Sequence, residues 1–394
     1  MNSSKKNSVL KSLAKLLREN SANIISENKK DLELCDRRDL ALFDRLKIDE
    51  SKVKSMIACV ENAMNEEDNV GKTLYKFQHE NGLQIENRIV PFGKIFIIYE
   101  SRPDVTIEAS VMAFKSGNKI ILKGGKEALH SNLFLVKLWH KALISNNISE
   151  DFVIYLDVSR EKIQEIISEN TYKADLIIPR GGDVLIDFVK KNSNIPVLVS
   201  GRGNNFLLID QEADFEMAKS IILNGKSRIS VCNALDKIIV DEKLPNLKEK
   251  LIELIAFLQE NKLKVFGFGS FKNFNLDLEI IEDVSILKEE FLSHKIVILL
   301  SDSLENSIEI INENSGGHSA VIVTKNKETA LKFQNEVDCG AVYHNASTRF
   351  TDGGEFGLSG EIAISTQKLH FRGPLGIHQL TTNKWFISGD GQIR

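Results

Sequence analysis

Apolar residues recur at Leu10, Leu13, Leu17 and Ile24, a helical spacing that predicts an amphipathic helix at the start of the chain. A second helical stretch is predicted over residues 53–64. The period then changes. Asn81-Gly82 signals a hairpin, since both residue types tolerate positive φ, and Leu83, Ile85 and Ile89 flank it as strand residues. Beyond Gly93, strands and helices alternate. Residues 95–99 read as a buried strand, Pro103 opens a helix that Gly117 closes, and 119–122 is the next strand. Gly124-Gly125 then makes a turn into a helix over 127–143, and 152–156, 175–178 and 197–199 are further short strands with helices between them. Such alternation predicts right-handed βαβ units, a largely parallel sheet, and ligands at the carboxyl ends of its strands.

A second mixed unit is predicted from about Gly225, with strands at 237–240 and 295–299 and helices at 247–259 and 304–313. Residues 380–387 alternate weakly and read as a strand added late. Two domains also suit the length, because 394 residues is roughly two to three times the usual domain size. The 42% hydrophobic and 27% charged residues are those of an ordinary soluble globular protein. Lys plus Arg is 51 and Asp plus Glu is 55, a net charge of −4 that argues against a general nucleic-acid binder. No apolar run approaches the roughly 18 residues a membrane helix needs, and the polar start shows no secretory signal. Cys35, Cys59, Cys232 and Cys339 lie far apart without C-x-x-C spacing, so they read as reduced thiols of a cytosolic protein.

Several familiar motifs are missing. There is no G-x-G-x-x-G fingerprint and no H-E-x-x-H, and no carboxylate cluster has metal spacing. Gly71-Lys72-Thr73 and Gly225-Lys226-Ser227 look like P-loop tails, but Glu66 and Ser220 stand where the leading glycines belong, so both are chance matches. Ser230-Val231-Cys232-Asn233-Ala234 carries more. Cys232 follows a polar, glycine-containing stretch and precedes a strand, which places it at a loop end near the domain junction. A lone cysteine there is either a small buried hydrophobe or a nucleophile; the second needs an electropositive, partly exposed site with N–H donors.

Pro179-Arg180-Gly181-Gly182, Val231-Cys232-Asn233-Ala234, Gly317-His318-Ser319 and the run AVYHNASTRFTDGGEFGLSGEIAISTQKL over 341–369 resemble the γ-glutamyl phosphate reductase family. That family, also called glutamate-5-semialdehyde dehydrogenase, is a branch of the aldehyde dehydrogenase superfamily serving proline biosynthesis. The resemblance covers nearly the whole chain. It implies an α/β, aldehyde dehydrogenase-like fold of two Rossmann-like parallel-sheet domains plus an oligomerisation hairpin and tail. On it, residues 1–224 form an NADPH-binding domain with the hairpin at about 74–90, and 225–362 form a catalytic domain. Residues 363–394 return to the cofactor domain and supply an oligomerisation strand.

The implied chemistry is reduction of L-glutamyl 5-phosphate by NADPH through a thioester on Cys232, with Asn233 and the Cys232 N–H near the oxyanion. The superfamily's usual oxyanion Asn falls near Ser101 here. Lys123 and Lys126 resemble the strand-end lysines beside the adenosine ribose, or make a solvated basic turn. Arg180, Gly181 and Gly182 precede a helix whose N–H groups could meet the pyrophosphate, or form a simple tight turn. Glu290 resembles the glutamate that holds the nicotinamide ribose, or is a surface carboxylate. Arg102, Asn345, Ser347 and Arg349 are candidates for the substrate's carboxylate and phosphate, each arginine rivalled by a structural ion pair. Hydrolytic relatives carry a Glu where this chain has Val199. The stretches 198–205 and 226–230 depart from the family's usual form. The resemblance further implies a cytosolic homo-oligomer with no metal, supplied with its acyl phosphate by a separate glutamate kinase. The alternatives are a related dehydrogenase with another substrate and a non-catalytic partner of that kinase.

Overall fold

The Asn2 side chain accepts a hydrogen bond from the Lys5 N–H at 3.0 Å, capping the first helix of a computed structural model that describes every residue except 37, 38, 270, 272, 273, 275 and 277. This helix, α1 (Ser3–Glu19), buries Val9, Leu10, Leu13 and Leu17 on one face, as their spacing predicts. Ile24 belongs instead to α2 (Ser21–Leu34). The break falls at Asn20, whose side chain donates to the Leu16 carbonyl at 2.8 Å, while the phase of apolar positions runs on across it. Two more helices, α3 (Leu40–Leu46) and α4 (Glu50–Asn65), follow; Asp49 caps the second by accepting from the Lys52 N–H at 3.0 Å. An antiparallel hairpin joins β1 (Thr73–Gln78) to β2 (Gln84–Pro91), with Gly82 at φ +91° in its turn.

Alternation then sets in as expected: β3 (Lys94–Tyr99), α5 (Val105–Lys115), β4 (Lys119–Lys123), α6 (Leu129–Ile144), β5 (Val153–Tyr155), α7 (Arg160–Glu169), β6 (Leu176–Arg180) and α8 (Asp183–Asn192). The four strands pair in parallel in the order β5-β4-β3-β6. Strand β3 shows why its apolar run is unbroken. Ile95, Ile97 and Tyr99 pack into one core with Phe114 and Trp139, whereas Phe96 and Ile98 pack into another with Ile163, Ile167 and Val189. Residues 197–199 are not the strand their composition suggests. Only Val197 bridges to Ile177, because Pro196 beside it has no N–H to extend the ladder.

The next elements are β7 (Asn205–Ile209), α9 (Phe215–Gly225), β8 (Leu235–Asp241), α10 (Leu247–Glu260), β9 (Lys264–Phe268), β10 (Glu279–Ile281), β11 (Lys295–Ser301), α11 (Leu304–Asn314), β12 (Ser319–Val323), α12 (Lys327–Glu336) and β13 (Ala341–His344). They build a seven-stranded parallel sheet, β10-β9-β11-β8-β7-β12-β13, again buried on both faces. Two short strands, β14 (Ala363–Ser365) and β15 (Gly373–Leu375), pair with each other. The last, β16 (Thr381–Ser388), lies antiparallel to β2 and completes a three-stranded sheet, β1-β2-β16.

Two compact units result. One comprises residues 1–199, 357–363 and 375–394; the other comprises 200–356 and 364–374. The division at 199/200 replaces the expected one at 224/225, because β7 hydrogen-bonds to both β8 and β12 and carries residues 200–224 into the second unit. The tail likewise splits more finely than a single return over 363–394: Leu375, Ile377 and Leu380 enter the core of the first unit, and 364–374 stay with the second.

Candidate active site

In the second unit, helix α9 ends at Gly225, and the chain turns over Val231–Ala234, where the Ala234 N–H donates to the Val231 carbonyl at 3.1 Å. Half-buried Cys232 and buried Asn233 are the central residues of that turn. Backbone passes unusually close to it. A Cβ on Gly203 would lie 2.0 Å from the Cys232 carbonyl oxygen and 2.4 Å from its Cα, so only glycine fits. The neighbouring Asn205 is fully buried, and its Nδ2 donates to the carbonyls of Gly203 (3.0 Å), Cys232 (2.8 Å) and Ala234 (2.7 Å). Its Oδ1 accepts from the Ser319 N–H (3.1 Å) and hydroxyl (2.6 Å). His318 Nδ1 stands 2.9 Å from the Ser319 hydroxyl, and burial pushes its imidazole pKa down to about 4, so it is neutral near pH 7. Sequence reasoning missed Asn205. Its only signal is a polar pair, Asn204-Asn205, opening an otherwise apolar strand.

Asn233 is committed elsewhere than expected. Its Nδ2 donates to the Arg349 (3.1 Å) and Thr351 (3.0 Å) carbonyls, and its Oδ1 accepts from the Arg349 guanidinium. Both amide protons are spent, so the side chain holds the 348–351 loop and is no oxyanion donor. Asn345, expected to touch substrate, sits at φ +55°; its Oδ1 accepts from the Thr324 N–H (3.0 Å) and its Nδ2 donates to the Thr324 carbonyl (2.9 Å). That staple between the ends of β12 and β13 takes the carbonyl oxygen and one of the two amide protons. Ser347 caps the short 348–350 turn by accepting from the Arg349 N–H at 3.2 Å. The loop therefore presents Arg349, half-buried, beside the cysteine turn.

Three buried ionisable side chains, Lys226, Asp236 and Lys237, flank Cys232 in sequence. Lys226 pairs with Asp236 at 2.5 Å, and Asp236 also accepts from the Phe291 N–H at 2.8 Å. Lys226 thus has a carboxylate partner, in keeping with a chance P-loop match. Lys237 donates to Asn204 Oδ1 and to the Glu289 carbonyl, each at 2.7 Å, and lies 3.8 Å from the Phe291 ring centre. Burial pushes its pKa down to about 7. Glu290 is half-buried in the segment these groups hold.

The remaining candidates lie in the first unit, at the carboxyl ends of its parallel strands. Lys123 closes β4; its Nζ donates to the Gly124 carbonyl at 2.7 Å, and burial lowers its pKa. Lys126 is exposed in the next turn. Between them Gly124 is obligatory, since a Cβ would meet the Asn132 amide nitrogen at 2.2 Å. Arg180 ends β6, and Gly182 stands at the N-cap of α8 with nothing within 4 Å of where a Cβ would stand. The Gly182 N–H itself reaches Glu100 at 3.2 Å. Open space before this ten-residue helix, together with strand-end lysines, could hold a dinucleotide's phosphates. Two further residues near these strand ends are bound to carboxylates. Ser101 gives both its N–H (2.8 Å) and its hydroxyl (2.9 Å) to Glu127, so it is no oxyanion donor. Arg102 pairs with Asp104 at 3.2 Å, the structural ion pair that rivals its reading as an anion site.

Residues 2–263 and 278–385 match the model of the aldehyde dehydrogenase family, and the chain belongs to that family of nicotinamide-dependent oxidoreductases. Its relatives within the family are narrower in kind. A gamma-glutamyl phosphate reductase of Dictyoglomus thermophilum is 39% identical, over 100% of this chain and 95% of its own length. One from Clostridium perfringens is 43% identical over 89% of this chain and 84% of its own length. The crystal structure of gamma-glutamyl phosphate reductase from Thermotoga maritima superposes with a TM-score of 0.95 at 38% identity, covering 100% of this chain and 95% of that one. The chain is a member of the gamma-glutamyl phosphate reductase branch.

Two glycines offer a direct test of the cysteine turn's packing. Gly203→Ala drives a methyl into the Cys232 backbone and should cost about 1–3 kcal/mol or more of stability, the usual range for overpacking. Gly182→Ala, with open space at its Cβ, should stay within about 0.5 kcal/mol of the parent. Urea unfolding of the two variants side by side reads the difference.

Proposed function

We propose that this chain is a cytosolic, NADPH-dependent gamma-glutamyl phosphate reductase, converting L-glutamyl 5-phosphate to L-glutamate 5-semialdehyde and phosphate. The observation that carries the reading is end-to-end similarity to reductases of that name, with the Cys232 turn intact. Consistent with a soluble enzyme, no helix among the described residues is long and apolar enough to cross a membrane.

The Cys232 thiolate adds to the acyl carbon, the carbon–oxygen bond to phosphate breaks, and a thioester remains on sulfur. NADPH, when bound, supplies the hydride that takes this thioester to the aldehyde level. The carbon–sulfur bond then breaks and the thiol returns. Arg349, fixed by Asn233, offers a planar fork to the substrate's phosphate or carboxylate, and Ser347 shapes the turn that carries it. Lys123 and Lys126 place point charges for the 2′-phosphate, Arg180, Gly181 and Gly182 meet the pyrophosphate, and Glu290 holds the nicotinamide ribose. Val199 stands where hydrolytic relatives use a carboxylate, and it can neither accept nor donate a proton. General-base help is worth about 10²–10⁴-fold, so in the reverse, oxidative direction the thioester waits for phosphate and not for water.

Burial pushes the Cys59 and Cys339 thiols up to about 12 and about 11, which leaves them inert beside Cys232. Cys232→Ala should abolish NADP reduction by glutamate-5-semialdehyde, while Cys59→Ala and Cys339→Ala keep most of it. In the unmodified enzyme that reaction should require added phosphate and form little free glutamate without it. Turnover in Cys232→Ala, or brisk phosphate-independent reduction, sinks the mechanism. For the cofactor, replacing Lys123 and Lys126 together with Ala should raise the KM for NADPH far more than that for NADH; equal rises reject this placement. For assembly, Leu74, Trp385 and Ile387 are more than half or about half exposed on the β1-β2-β16 sheet, at 62, 50 and 57%. Such an apolar sheet surface needs a cover, and we assign it to a second copy of the chain. Light scattering at micromolar protein should give at least a dimer's mass.

A further inference from the structure

The segment around Glu290 is held in a pattern that stability alone does not call for. Asn204 Nδ2 donates to the Leu287 carbonyl at 2.6 Å, Lys237 to the Glu289 carbonyl at 2.7 Å, and the Phe291 N–H donates to Asp236 at 2.8 Å. Every second residue of 287–291 is thus pinned, and each pin is a fully buried polar group: Asn204 and Asp236 are 1% exposed and Lys237 is 0% exposed. The two bonds from Asp236 and Lys237 bracket one residue. They hold the carbonyl of the peptide before Glu290 and the N–H of the peptide after it.

Taking Lys226, Asp236 and Lys237 out of water carries a heavy desolvation penalty, and apolar residues of similar volume in such places are often as stable or more so. What the ions give that apolar groups cannot is direction. Each ties one named main-chain atom, and Phe291 is wedged against the Lys237 ammonium at 3.8 Å, which keeps the lysine stem from swinging. We propose that Asp236 and Lys237 are positioning residues that fix the Glu290 backbone and so aim its carboxylate at the nicotinamide ribose. This rests on the reading of Glu290 as a cofactor contact. Neither residue touches cofactor itself; both act through Glu290.

The test is a double-mutant cycle on the full-length protein, with NADPH as the probe and its fluorescence as the readout. Glu290→Ala should weaken NADPH binding about 10-fold, and Lys237→Met should weaken it by a similar factor, the usual worth of one lost polar contact. Because the second acts through the first, Lys237→Met in the Glu290→Ala background should add nothing. Binding of 2′,5′-ADP, which lacks the nicotinamide ribose, should be unchanged in Lys237→Met; a general distortion would weaken both ligands alike. An unchanged NADPH Kd in Glu290→Ala overturns the reading of Glu290 and this inference with it. A raised Kd in Glu290→Ala beside multiplying effects in the double variant, or an equal loss of 2′,5′-ADP, overturns the inference alone. Where Lys237→Met does not yield folded protein, Lys237→Gln carries the same cycle on a shorter neutral stem. A rise of at least about 3-fold is then expected, and no rise overturns the inference.

Discussion

The Asn205 carboxamide joins three strand ends at once, and the geometry of the reactive turn follows from it. Its amide nitrogen takes carbonyls from both the 203 segment and the 232–234 segment, and its oxygen is claimed by Ser319 at the head of β12. A buried carboxamide left short of partners would cost about 1–3 kcal/mol per orphaned group, so this node is either complete or expensive. It grips Cys232 by the main-chain carbonyl. Gly203 adds the complementary condition, a missing side chain that lets two backbones approach more closely than any Cβ allows.

Much of the polar residue in the candidate site is spent on architecture. Asn233 and Ser101 carry the right functional groups for chemistry, yet the side-chain donors of each are bound to loop backbone or to Glu127, and Asn345 spends its oxygen and one amide proton on Thr324. Of the groups proposed for the chemistry in the second unit, a thiol and a guanidinium remain. Preorganisation of this kind places the ordering cost in folding and leaves little to rearrange when substrate arrives.

The alternation of strands and helices was legible because strands buried on both faces are continuous apolar runs, as at 95–99 and 295–299. Boundaries were less so. Residues 200–224 read as the end of one domain until β7 is seen paired with β8 and β12, a fact of non-local hydrogen bonding that no local pattern carries. Cys232 stood out through the motif around it. The commitments of Asn233 to Thr351 and of Asn345 to Thr324 could not be read, since the partners lie 118 and 21 residues away in sequence. Asp236-Lys237 did leave a trace: two charges inside the apolar strand 235–241 have to be paired if that strand is buried on both faces.

The order in which the first unit's parts leave the ribosome is set by its split sequence. Residues 1–199 are made before the second unit, but Leu375, Ile377 and Leu380 of the same core, and the strand that covers the β2 edge, follow it. At about 5–20 residues per second, the nascent first unit waits roughly 10–35 s with an incomplete core and an open sheet edge. The second unit, nearly continuous over 200–356, gains all seven strands of its parallel sheet in that interval. Newly made chains therefore pass through a stage in which the later-made unit can close while the earlier-made one is still unfinished.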